Sequence, residues 1–238
     1  MKKLPILILC GWNLSPACYS NLVLLLKDQG YKVYCPDLPG FGASELQSEY
    51  TVLQYASYIG NYVKKNNIQD SIVIGHSFGG RIAIYLAATQ KKLFSKIVLT
   101  GVPGYPPVPS LKVTLFKFIA KTGSFIFSLP IISIFSEPFK KLLYFSAGSF
   151  DYYKASGVKR ETFKNIISFK LDQYLRQINT STLLVWGYDD SIVPIRVAKK
   201  ISASISDSKL RILPHENHGV LYKNPQLFFK TIRQFIEK

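Results

Sequence analysis

Residues 72–84 read IVIGHSFGGRIAI, an apolar run that breaks into Gly75-His76-Ser77-Phe78-Gly79-Gly80 and resumes at once in a helical pattern. A polar Ser set between bulky neighbours and fenced by glycines suits neither the middle of a strand nor the middle of a helix. It suits the turn between them. Gly75-His76-Ser77-Phe78-Gly79 matches G-x-S-x-G, in which the central residue occupies a sharp strand-to-helix turn that lifts its hydroxyl clear of a sheet. On this reading a side chain at Gly75 or Gly79 would strike a neighbouring strand or helix, and Gly80 lets the helix approach closely. Amides at the start of the following helix stabilise negative charge beside the Ser. The stretch therefore predicts strand, tight turn and helix, with Ser77 as candidate nucleophile and the Phe78 NH beside it.

The same alternation extends in both directions. Val-, Ile- and Leu-rich runs without strict alternation at 4–10, 32–35, 71–75, 96–100, 182–186 and 210–213 read as strands covered on both faces. Between them, 17–29, 52–66, 79–89, 195–205 and 226–236 carry helical patterns. Asn224 is the expected cap of the last helix, with Pro225 at its first position. Such alternation implies an α/β fold with a doubly wound, mostly parallel sheet whose ligand sites gather at the carboxyl ends of the strands. It fails from 102 to about 171, a segment rich in Phe, Pro and Lys that begins GVPGYPPVPS at 101–110 and is too long for a simple connection. The expected organisation is one core domain of residues 1–102 and 172–238, with a largely helical cap inserted at 103–171.

Composition narrows the functional classes. With 238 residues, 47% of them hydrophobic, the chain can bury a substantial core, and intrinsic disorder is excluded. The net charge of +16 is spread without long basic runs or a recognisable nucleic-acid-binding motif, so scattered lysines on a solvated face are expected rather than a nucleic-acid partner. The three cysteines, Cys10, Cys18 and Cys35, have no metal-ligand spacing. Free thiols in a reducing, cytoplasmic compartment and no metal are expected. The opening Met-Lys-Lys followed by LPILILC imitates a secretory or lipoprotein signal, but the apolar part is short and Leu9 is not the small residue a cleavage site needs. The apolar region 111–135 is also no membrane span by this reading: its longest uncharged part, 122–136, contains Pro130 and falls short of the roughly 20 residues a bilayer requires.

A weak alcohol needs a base to become a nucleophile, and the chain holds three histidines. His76 adjoins Ser77 on the turn itself, which disfavours it. His215 and His218 lie in LPHENHGV (213–220), after the last strand. His218, deeper in that loop and just before the final helix, is the candidate. The base in turn needs a carboxylate to orient it; LLVWGYDDSIVP (183–194) ends a strand and offers Asp189 and Asp190 at the same sheet edge.

These residues resemble the α/β-hydrolase family, in its serine-nucleophile, esterase- and lipase-like branch, over nearly the whole chain outside the cap. DLPGFGAS (37–44) resembles the family loop after its second retained strand. WGYDDSIVP (186–194) resembles the family's G-x-x-D-x-(I/V)-V-P loop and, counted from Gly187, puts the acid at Asp190. HENHGV (215–220) resembles the segment of the family base, with His218 in the matching place. Chain order is then Ser, Asp, His, as in the family. The resemblance implies a chain starting at the family's third strand, with a minimal sheet of about six strands. Where family members often read His-Gly-x after the first strand, this chain reads Cys10-Gly11-Trp12; Gly11 preserves the turn, and the Trp12 NH is the expected second oxyanion donor beside that of Phe78.

The implied activity is hydrolysis of small to medium, apolar carboxylic esters or lactones through an acyl-enzyme, without cofactor or metal. Ser77 excludes the dehalogenases and epoxide hydrolases of this fold, which place an Asp there. SFGGR (77–81) also resembles a signature of menaquinone-pathway pyruvate-eliminating lyases, which makes Arg81 a candidate carboxylate binder, set against an ordinary ion pair at a helix start. Lyase chemistry on an anionic substrate, and an inactive binding protein of the same fold, are the alternative readings. Lys112, Lys117, Lys121, Lys140 and Lys141 of the cap imply at most weak contact with a membrane surface or an anionic ligand. The oligomeric state is left open.

Overall fold

In the computed structural model, residues 3–105 and 155–237 are described. Most of the expected cap, 106–154 with the five lysines named above, lies outside the described residues.

Six strands form one parallel sheet: β1 (Ile6–Leu9), β2 (Val33–Tyr34), β3 (Ser71–His76), β4 (Phe94–Thr100), β5 (Thr182–Gly187) and β6 (Ser208–Leu213), in the order β2-β1-β3-β4-β5-β6. The expected six-strand, doubly wound sheet is thus present. Every strand residue of β1, β3 and β5 is buried, as expected when helices cover both faces. Side chains alternate between those faces. Leu7, Leu9, Val73, Ile97, Leu99, Leu184 and Trp186 enter one core, shared with α2 (Val52–Lys65), α3 (Phe78–Thr89) and α6 (Ile195–Ser204). Ile6, Ile8, Ile72, Ile74, Val98, Leu183 and Val185 enter the other, shared with α1 (Ser20–Asp28) and α8 (Pro225–Glu237).

Local signals place the helices. A capping box joins Thr51 and Gln54 at the start of α2, and Asn224 caps α8 by accepting the Leu227 amide, 3.3 Å, with Pro225 at the first helical position. Between β4 and β5 the described residues contain α4 (Gly157–Ser168) and α5 (Asp172–Leu175); α7 (Val220–Lys223) precedes α8. Order along the sheet reverses between β1 and β3. At such a switch point the carboxyl ends of the strands leave a crevice, and here its two sides are Gly11-Trp12 after β1 and Ser77 after β3. Among the described residues no helix is long and apolar enough to cross a membrane.

Candidate active site

Ser77 stands between β3 and α3 with φ 49° and ψ −112°, a left-handed backbone that non-glycine residues adopt only where their surroundings enforce it. The enforcement is visible. The Ser77 amide donates to Thr100 O of β4 at 2.9 Å, and its carbonyl accepts from Gly80 at 3.1 Å. A Cβ on Gly75 would lie 2.6 Å from Gly80 Cα, one on Gly79 would strike the Leu9 carbonyl, and one on Gly80 would strike Val102. Phe78 opens α3, where an amide has no acceptor within its own helix. Among the described residues neither its amide nor that of Trp12 donates a hydrogen bond.

Of the two carboxylates after β5, the structure brings Asp190 to the imidazole and leaves Asp189 exposed. Asp190 is buried; its Oδ1 accepts the amides of Ile192 at 3.0 Å and Val193 at 2.8 Å, and its Oδ2 lies 2.9 Å from His218 Nδ1. The loop that holds it is closed by the buried Trp186, whose indole NH donates to Val193 O at 2.8 Å. Three donors thus satisfy a carboxylate that burial alone would penalise. With Nδ1–H committed to Asp190, the neutral His218 ring carries its lone pair on Nε2, the tautomer a base needs. His215 is exposed, near the start of the strand-to-helix loop that His218 occupies more deeply.

His218 and the Ser77 turn share one corner of the molecule. The His218 ring packs on Gly101, next to the Thr100 carbonyl that holds the Ser77 amide: a Cβ on Gly101 would lie 2.6 Å from His218 Cε1. The ring of His76, the residue before Ser77, has its centroid 5.0 Å from that of His218. Gly101 escaped the sequence reading, although a glycine at the carboxyl end of a buried strand marks a close approach.

Among the described residues Arg81 does not form the ion pair that is one of the two roles expected of it. It is buried one turn into α3, and among the described residues it pairs with no carboxylate. Its Nη1 donates to Pro103 O, and its Nη2 donates to Ile166 O and Phe169 O, each at 2.7 Å. Burial lowers its pKa to about 10, so it stays charged at neutral pH. Both terminal nitrogens of the guanidinium are thus taken up by main-chain carbonyls, while its buried Nε has no partner among the described residues. A cavity of about 380 Å³ lies at the far, amino-terminal edge of the sheet, lined by Asp70, Lys91, Lys92 and Gln177 among others, and includes none of the candidate residues. Among the described residues no His, Cys, Asp or Glu cluster is suited to a metal ion.

A family model described as the alpha/beta hydrolase fold matches residues 5–121. The fold of the chain is that of the alpha/beta hydrolases. Its relatives include the uncharacterized hydrolase YugF of Bacillus subtilis, 26% identical over 95% of this chain and 88% of the relative. They also include the pimeloyl-[acyl-carrier protein] methyl ester esterase of Wigglesworthia glossinidia brevipalpis, 27% identical over 96% of this chain and 92% of that one. Among solved structures, an esterase from Exiguobacterium antarcticum superposes on the α/β-hydrolase chain with a TM-score of 0.76 at 21% identity, covering 100% of this chain and 94% of the other.

Proposed function

We propose that the protein hydrolyses carboxylic esters through an acyl-enzyme, with Ser77 as nucleophile, His218 as base and Asp190 as its orienting acid. The observation that carries this reading is the Asp190–His218 pair at 2.9 Å, whose imidazole packs on Gly101 beside the strained Ser77 turn. In the reaction His218 Nε2 takes the Ser77 proton as Oγ attacks the ester carbonyl, and the developing oxyanion is received by the amides of Trp12 and Phe78. His218 then gives that proton to the leaving alcohol. Water, deprotonated by the same imidazole, releases the acid and restores Ser77.

An apolar acyl or alkyl group is favoured by the aromatic wall beside these donors. Trp12 meets Phe41 and Phe163 edge-on at 4.9 Å each and Phe78 at 5.8 Å. Ester-hydrolysing relatives of similar length support the same class. The elimination reading rested on Arg81 as a carboxylate binder, and that guanidinium is occupied by carbonyls. Small to medium esters are the proposed substrates, with lactones as the cyclic variant of the same bond. The test is turnover of p-nitrophenyl butyrate: Ser77→Ala, folded by circular dichroism, is expected to lose roughly four to six powers of ten in kcat. A fluorophosphonate probe should label the unmodified protein and not the variant. Turnover surviving in Ser77→Ala overturns the assignment.

A further inference from the structure

His76, excluded as a base by its place on the turn, is one of the most completely engaged polar side chains in the molecule. It is 1% exposed, and both ring nitrogens are partnered: Nδ1 lies 2.8 Å from Tyr19 Oη, and Nε2 lies 3.1 Å from the carbonyl oxygen of His218. A carbonyl only accepts, so Nε2 carries the hydrogen. In the neutral ring Nδ1 is then the acceptor, and the Tyr19 hydroxyl donates to it. That hydroxyl in turn accepts the amide of Gly11 at 2.8 Å. The direction of every bond is thereby settled: Gly11 NH to Tyr19 O, Tyr19 OH to His76 Nδ1, His76 Nε2–H to His218 O.

The two ends of this chain are the two loops that the ester-hydrolysis reading needs in register with Ser77. Gly11 precedes Trp12, the oxyanion donor after β1; His218 is the base after β6. Between them stands an imidazole on the residue adjoining the nucleophile. We infer that His76 and Tyr19 are positioning residues that lock the oxyanion loop and the base loop to the nucleophile turn. This deepens the proposed function and rests on it.

The packing agrees. Gly11 packs close to the ring: a Cβ there would sit 2.8 Å from His76 Nδ1. The titratable groups facing His76 are Tyr19 from the turn before α1, His218 from the base loop, and Tyr222 from α7, whose ring centroid is 5.7 Å away. None is a carboxylate. Burial first, and the adjacent His218 second, hold the His76 pKa down at about 3, against a smaller upward pull from the His218 carbonyl. The ring therefore stays neutral, as the direction of the bonds requires. Burial first and foremost raises the Tyr19 pKa, which keeps its donor proton in place. The arrangement also supplies what Cys10, standing where family members often have His, does not: a polar anchor for the Gly11 turn.

The two arms separate by mutation. In His76→Asn the side-chain oxygen falls near the Nδ1 position and still accepts from Tyr19, while nothing reaches the His218 carbonyl. In His76→Gln the terminal amide reaches that carbonyl as donor, and Tyr19 loses its acceptor. Tyr19→Phe cuts the oxyanion arm by removing one oxygen. With p-nitrophenyl butyrate, Tyr19→Phe and His76→Gln are expected to lower kcat by about tenfold with KM and the pH profile unchanged, because an unpaired buried group loosens a transition-state contact. The double variant should lose no more than either alone. His76→Asn should instead move the acid limb of the kcat/KM profile, since the base itself is released. If the folded variants melt at lower temperature but keep the wild-type kcat and pH profile, the pair is packing only and the inference is overturned. Wild-type kcat in folded Tyr19→Phe overturns it even if both His76 variants fail to fold. Imidazole ¹⁵N NMR of the Ser77→Ala protein reads the relay without turnover: a neutral Nε2–H tautomer for His76 down to pH 5 is required, and the other tautomer refutes it. Failure of the ester-hydrolysis reading would appear separately, as activity persisting in Ser77→Ala.

Discussion

Replacing Gly101 by Ala perturbs the proposed base, His218, without removing any polar atom of the site. Gly101 has φ +61°, where an L-residue is strained, and its added Cβ would stand 2.6 Å from Cε1 and 2.8 Å from Nδ1 of His218. Relief to an ordinary carbon contact of about 3.5 Å requires a ring displacement approaching 1 Å. The ring cannot yield freely, because Nδ1 is held by Asp190 and the His218 carbonyl by His76. A misplacement of about 1 Å costs on the order of 100-fold in rate, and that is the expected loss in kcat. Strain and contact can be told apart with Gly30, which has φ +82° and nothing within 4 Å of its added Cβ. Left-handed backbone costs both Ala variants about 1–2 kcal/mol, or roughly 2–8 °C in Tm for a chain of this size. The assay is initial-rate hydrolysis of p-nitrophenyl butyrate beside thermal melts of both variants. Gly30→Ala should melt early and work normally, whereas Gly101→Ala should melt early and work poorly. The reasoning is refuted if Gly101→Ala keeps wild-type kcat, or if Gly30→Ala loses as much.

Asp190→Asn keeps an acceptor for the Ile192 and Val193 amides but removes the charge facing His218, so a kcat loss of about 10³–10⁴-fold with a near-native melt is expected; a loss under tenfold contradicts the assigned role. Arg81→Ala leaves three main-chain carbonyls, one buried and two partly buried, without that donor and should cost about 3 kcal/mol or more in urea denaturation. Arg81→Lys should recover little of that, because a single ammonium cannot span three acceptors as a planar fork does; full recovery would argue for simple charge. His76, with its pKa lowered from 6.5 to about 3 in the fold, sets a pH dependence of stability. Below about pH 6.5 the unfolded chain takes up a proton that the folded chain refuses, so stability declines toward pH 3 by up to about 1.4 kcal/mol per pH unit. Urea midpoints at pH 7, 6, 5 and 4 should show a shallower decline in His76→Gln, and an identical slope would refute the neutral buried ring.

The strands were readable because burial on both faces leaves a simple trace, a short continuous apolar run. All six were anticipated, although β4 begins at Phe94, just past two lysines that masked its start. The four-residue α7 was not anticipated, being too short to show a period. Ser77 announced itself through steric demand, since glycines cluster where a turn has no room. Asp190 and Asp189 are chemically identical in the sequence, and family resemblance, not residue chemistry, pointed to Asp190. What the chain could not show were partners set by tertiary approach. Tyr19 meets His76 across 57 residues, and Arg81 reaches its carbonyls across 85 and 88. A tyrosine hydroxyl or a guanidinium carries no mark of which distant oxygen it will face.

Arg81 has a mechanical consequence for how this fold varies. Pro103 lies at the start of the excursion that leaves the sheet after β4, Ile166 and Phe169 lie near its return, and one guanidinium clasps both feet. The clasp is rooted in the helix that follows Ser77, so the chain between the feet starts and ends at fixed points of the core. Lengthening such a loop is inexpensive, about 0.6 kcal/mol per doubling. A change in the length of chain between the feet is therefore not expected to disturb the Ser77 turn as long as the clasp holds.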